Sequence, residues 1–113
     1  MSETADVPEI TAIDLKARMD QGDVPVLVDV REHFERRIAD LPGEGQLRIP
    51  AGEILQRMSE FEGHPEVVVY CRSGSRSAWA VRLLRERGLE NVVNLQGGIL
   101  AWAKDVDPSV PSY

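Results

Sequence analysis

The stretch VVVYCRSGSRSAWAVRLLRERG, residues 67–88, reads as strand, turn and helix in that order. Its first four residues are valines and a tyrosine, the pattern of a short strand buried on both faces of a sheet. From Ser75 onward, Ala78, Val81 and Leu84 recur at helical spacing with Trp79 and Leu83 beside them, and Gly88 supplies a C-terminal stop. The only cysteine of the chain, Cys71, falls at the junction between the two elements. A lone Cys inside an apolar run is commonly an inert small hydrophobe. This one stands where the run gives way to Gly, Ser and Arg.

The same alternation continues in both directions. PEI (8–10) reads as a short strand, and Thr11 with Asp14 three residues on reads as an N-cap opening a helix that Gly22 ends. VLVDV (26–30) is a second almost wholly apolar run, followed by a charged helical stretch over 31–38. QLRIP (46–50) gives a third strand and Ala51 to Phe61 a helix broken at EGHP. NVVNL (91–95) gives the fifth strand, Gly97-Gly98 a turn, and ILAWAKDV a last helix. Residues 1–7 read as a flexible N-terminal segment and the Pro-punctuated 106–113 as an extended tail. With no repeat, low-complexity run or linker, residues 1–113 read as one domain. The fold class is α/β, a five-stranded, mostly parallel sheet with helices on both faces.

In open sheets of this kind, ligands bind beyond the carboxyl ends of the strands. Two strands end alike, VLVDVR and VVVYCR, so Asp29 and Arg31 are expected near Cys71, as an ion pair or loop brace. Between strand and helix runs CRSGSR. Gly74 permits a positive φ, which curls successive N–H groups inward, and the helix starting near Ser75 adds its own unpaired donors. Helix N-termini and neighbouring cations favour a thiolate over a thiol, so the loop suits an exposed, nucleophilic sulfur. Arg72 and Arg76 are either solvated charges or contacts for an anion. Cations at a helix start oppose its dipole, which favours the anion. His33 and His64 read as ordinary surface or loop histidines, and Trp79 and Trp102 as core.

Composition limits the partners. The chain has 42% hydrophobic and 28% charged residues and a net charge of −6, so its surface as a whole repels nucleic acid and anionic membrane. The acidic start MSETADVPEI is not that of a secretory signal, and a cytoplasmic protein is expected. One cysteine allows neither an internal disulfide nor a multi-Cys zinc site, and whatever Cys71 forms is resolved by another molecule.

Cysteine-based tyrosine phosphatases carry His-Cys, five residues and then Arg. Here Tyr70 precedes Cys71 and four residues separate it from Arg76, one fewer. The chain resembles instead the rhodanese family of sulfurtransferases. VDVRE (28–32), LPG (41–43), IPAGEI (49–54), VVVYCRSGSRSAWA (67–80) and NLQGGILAW (94–102) match that family's segments in order. It is similar above all to the rhodanese domains fused behind adenylating enzymes that activate ubiquitin-like sulfur carriers. Their active loops read much like CRSGSRSA and their ends much like GGILAWAKDVDPSVPSY; ADLPG stands here for the Gly-His-Ile-Pro-Gly of many rhodaneses, a Gly-His that the fused group often lacks too, and residues 1–113 hold no adenylating domain.

The resemblance implies a rhodanese-like fold and a thiosulfate sulfurtransferase. Cys71 is then the catalytic nucleophile that carries sulfane sulfur as a persulfide. Arg72, Ser73, Gly74, Ser75 and Arg76 bind the substrate, and Asp29, Arg31 and Ser77 support the site. The implied partners are a small anionic sulfur donor and a sulfur-carrier protein or cysteine desulfurase, with no metal and no organic cofactor. Two other readings share the fold: a non-catalytic interaction module, disfavoured by the loop Cys, and a phosphatase or arsenate reductase, disfavoured by loop length and by the missing second Cys.

Overall fold

The middle of the sheet is the strand that leads into Cys71. In a computed structural model, which describes residues 7–43 and 45–113, the strands are β1 (Glu9–Ile10), β2 (Val26–Asp29), β3 (Leu47–Arg48), β4 (Val67–Tyr70) and β5 (Val92–Leu95). All pairings are parallel, in the order β1-β5-β4-β2-β3. Residues 1–6 of the expected N-terminal segment lie outside the described residues, and Val7 is buried. The helices are α1 (Ala12–Asp20), α2 (Ser75–Glu86) and α3 (Gly98–Asp105). The expected start of α1 is present as the bond from the Asp14 N–H to Thr11 Oγ1, 3.1 Å.

β4 alternates between two cores. Val67, Val69 and Cys71 join Val28, Ile54, Phe61, Ala78, Val81 and Leu84 on the α2 side, while Val68 and Tyr70 join Leu15, Leu27, Leu95, Ile99 and Trp102 on the other. Period two therefore puts the sulfur on the face that α2 covers. Register levels the two similar strand ends, with Tyr70 beside Asp29.

Expectations of three kinds need correction. Trp102 is core at 1% exposure, but Trp79 is 42% exposed. The buried stripe of α2 is Ser77, Ala78, Ala80, Val81 and Leu84, and Trp79 projects from its edge beside Leu55 and Leu83. The helix expected over 51–61 is two 3₁₀ turns, Ala51–Glu53 and Met58–Glu60, and the charged stretch after β2 is a 3₁₀ turn over His33–Arg37. The tighter winding of a 3₁₀ turn spans more length per residue. It lets the segment start pinned to the sheet, Ala51 N to Val30 O at 3.0 Å, and still bury Ile54 and Phe61. The third concerns the tail. Only Asp107 and Pro111 to Tyr113 are without turn or bend; Val106 and Val110 pack against the α1/α3 core, and a turn closes from the Val110 N–H to the Asp107 carbonyl, 3.0 Å.

Candidate active site

The sulfur of Cys71 is the point on which the loop converges. The Gly74 N–H donates to Sγ at 3.1 Å, the Ser77 N–H at 3.4 Å and the Ser77 hydroxyl at 3.3 Å. Three convergent donors suit a sulfur that bears negative charge. Ser77, expected only as support, thus touches the sulfur twice. Cys71 is 0% exposed, against the exposed position implied by its turn, because β4 directs it under the first turn of α2.

The start of the loop, just before these donors, is held by α3. The Ile99 and Leu100 N–H groups, in the first turn of α3, donate to the Cys71 and Arg72 carbonyls at 3.0 Å each. A side chain at Gly98 would put its Cβ 2.4 Å from the Cys71 oxygen, so glycine alone lets α3 approach. Gly74 meets the other requirement, a φ of +104° at the N-cap of α2. Its carbonyl accepts from Asn94 Nδ2 at 3.3 Å, which ties the loop to β5.

The loop cations are engaged away from the sulfur. Arg76 grips the buried carboxylate of Glu35 with both nitrogens, at 2.7 and 3.1 Å. These bonds, helped by the Tyr113 hydroxyl and opposed by burial, hold the Glu35 carboxyl at about 2 instead of the usual 4.5. Arg72 lies 5.2 Å from the ring centroid of Tyr113, and its Nε donates to the Tyr113 main-chain oxygen. Ser73 and Ser75 are exposed.

Asp29 and Arg31 form the expected brace. Arg31 is buried and forks onto Asp29 at 2.9 and 3.0 Å, while its Nη1 donates to the Ala39 carbonyl at 2.8 Å and to the Tyr113 hydroxyl at 2.9 Å. Arg48 joins from β3, bonding Asp29 at 2.8 Å and Asp40 at 2.7 and 2.8 Å. This lattice fixes the floor beside β4, so the reactive loop is built on rigid strand ends.

Glu35, Asn94 and Tyr113 have no role in the sequence reading. Glu35 left a trace as an acid three residues after Glu32, whose N–H it accepts at 3.2 Å, but its pairing with Arg76 spans 41 positions. Tyr113 belongs to the resembling tail, and the resemblance assigns it no function.

Comparison with known proteins agrees with this geometry. The family described as "Rhodanese-like domain" matches residues 11–105. A sulfurtransferase of Allochromatium vinosum is 39% identical over 104 residues, 92% of this chain and 95% of that protein. The probable adenylyltransferase/sulfurtransferase MoeZ of Mycobacterium tuberculosis is 35% identical over 107 residues, 92% of this chain. The match spans only 26% of that protein, about a quarter of its length. Among solved structures, a rhodanese-related protein of Thermoplasma volcanium superposes with a TM-score of 0.76 and 31% identity, covering 94% of this chain and 99% of that one. With the sheet order, the cysteine loop and these matches in agreement, the chain belongs to the rhodanese-like domain family.

Proposed function

We propose that this chain is a thiosulfate sulfurtransferase in which Cys71 is the catalytic nucleophile and carries one sulfane sulfur as a persulfide. The convergence of three donors on Sγ supports this reading above all. In the first half-reaction the Cys71 thiolate attacks the outer sulfur of thiosulfate. A bond forms between the two sulfurs, the sulfur–sulfur bond of the donor breaks, and sulfite leaves with the electron pair. In the second, a nucleophile such as cyanide in vitro attacks the outer sulfur of the persulfide, takes it as thiocyanate, and returns the Cys71 thiolate. Each half is a displacement at sulfur, and the two alternate in ping-pong order. A protein persulfide serves as donor by the same displacement, with a thiolate as leaving group, and a thiol or a sulfur-carrier protein serves as acceptor. A cysteine desulfurase fits the donor role. The cytoplasm, where thiols stay reduced, suits an enzyme whose single thiol must return free after each cycle.

The loop from Arg72 to Arg76 forms the donor pocket in this reading. Gly74 and Ser77 hold the sulfur, and Arg72 supplies charge for the donor's sulfonate end. Arg76 acts through Glu35, as a clamp on the rim. Thiosulfate is expected to add the mass of one sulfur atom to the protein, and Cys71→Ser to abolish the gain while circular dichroism stays unchanged. A serine variant that still gains sulfur would end the reading. Arg72→Ala is expected to raise the thiosulfate KM with little change in kcat, the mark of lost binding energy common to ground and transition states.

A further inference from the structure

The loop presents two cations, and both are occupied. Arg76 is committed to Glu35 through the paired bonds at 2.7 and 3.1 Å. That leaves Arg72 as the cation a small anion would meet, and Arg72 is engaged by Tyr113 in two ways, through its ring at 5.2 Å and through its main-chain oxygen. Tyr113 is itself anchored, donating its hydroxyl to Glu35 Oε2 at 2.7 Å and accepting from Arg31 Nη1 at 2.9 Å. The segment that delivers it is stiffened by Pro108 and Pro111 and by Asp107, which accepts from the Ser109 N–H and hydroxyl at 3.1 and 2.6 Å. Arg31 and Glu35 keep other partners if Tyr113 is lost, namely Asp29, Ala39 and Arg76. Arg72 is the group that its loss would release.

We propose that Tyr113 is a specificity-determining residue, which competes with a small dianionic sulfur donor for the guanidinium of Arg72. The proposal rests on the sulfur-transfer reading and names what tunes its donor choice. A dianion gains the charge of Arg72 only by displacing the ring and the main-chain oxygen. A neutral persulfide has no use for that charge and is indifferent to Tyr113. The site in its observed state thereby discriminates against thiosulfate relative to uncharged persulfide donors. Tyr113→Ala keeps the main-chain oxygen but removes the ring and the hydroxyl anchor that positions it, so a part-exposed cation–π contact sets the expected size of the competition, about fivefold.

The decisive test separates binding from chemistry. Thiosulfate is titrated calorimetrically into Cys71→Ser, into Cys71→Ser/Tyr113→Ala, and into the triple variant that adds Arg72→Ala, after matching their far-UV spectra and unfolding midpoints. Removing Tyr113 is expected to tighten binding about fivefold, and the gain should vanish when Arg72 is also removed. In the active protein, Tyr113→Ala is expected to lower the thiosulfate KM with kcat nearly constant. The KM for the persulfide of 2-mercaptoethanol should not move, and Tyr113→Phe, which keeps the ring on Arg72, should stay close to the parent. Equal or weaker affinity without Tyr113, or a gain that survives the loss of Arg72, overturns the proposal. Sulfur gain at Cys71, followed separately by mass, decides the sulfur-transfer reading itself, so the two fail independently.

Discussion

The ends of β2 and β4 are neighbours in the sheet and near-copies in sequence, VLVDVR and VVVYCR, yet one is a brace and the other the reactive centre. At β2 the Arg folds back on the Asp two residues before it, and the pair is sealed in the interior. At β4 the residue before Arg is a Cys, and the chain continues into a curled loop and a long helix in place of a short 3₁₀ turn. The strand fixes where each group stands. The connection after it determines whether donors turn toward that group or the group must find its partners inside.

Four measurements would sharpen or break this contrast. The largest effect belongs to Cys71→Ser, expected to reduce thiocyanate formation to background while shifting the urea midpoint little, since the serine keeps the shape of the site. Next, Arg31→Met should leave activity per folded molecule measurable but destabilise the protein by about 3 to 5 kcal/mol, because Asp29 is left as a buried charge short of its main partner. Should the two variants show the same profile in urea, the division into brace and reactive centre would fail.

Third comes pH. The Glu35 carboxyl titrates near 2 when folded against 4.5 when unfolded, so its contribution is complete above pH 4.5 and is lost as pH falls toward 2. Discounted for the partly exposed Arg76, that loss is about 2 kcal/mol, and Glu35→Gln should flatten the acid limb of the stability curve. Equal acid limbs in the two proteins would show that the clamp on Arg76 contributes nothing to folding. The smallest effect is that of Ser77→Ala, which removes one of three donors from the sulfur and should slow transfer about tenfold with stability nearly unchanged.

What could be read from the chain were the features set by local pattern. The apolar run of β4, the stripe of α2, Gly74 at a strand-to-helix turn and the Thr11 cap each lie within a few residues of their cause. The parallel order accords with their alternation. The rim of the site was not legible, because its bonds are long in sequence: Glu35 to Arg76 spans 41 positions and Arg31 to Tyr113 spans 82. Nor does periodicity distinguish an α-helix from a 3₁₀ turn when both bury the same residues, as at Ile54 and Phe61. Trp79 shows the converse limit, since apolar character at the border of a stripe does not say on which side of the border the ring will fall.

The close approach that Gly98 permits has a bearing on hydrogen exchange. Four amides report on one loop: Gly74 and Ser77, whose protons point at the sulfur, and Ile99 and Leu100, whose protons hold the carbonyls of Cys71 and Arg72. If a donor enters by displacing Tyr113 alone, all four protons exchange slowly with and without thiosulfate, and the amides near the end of the chain respond by themselves. If entry needs the loop to lift from α3, Ile99 and Leu100 lose protection together with Gly74 and Ser77, at a common rate. The glycine that holds the loop closed thereby makes the route of a sulfur atom into the protein readable from its backbone protons.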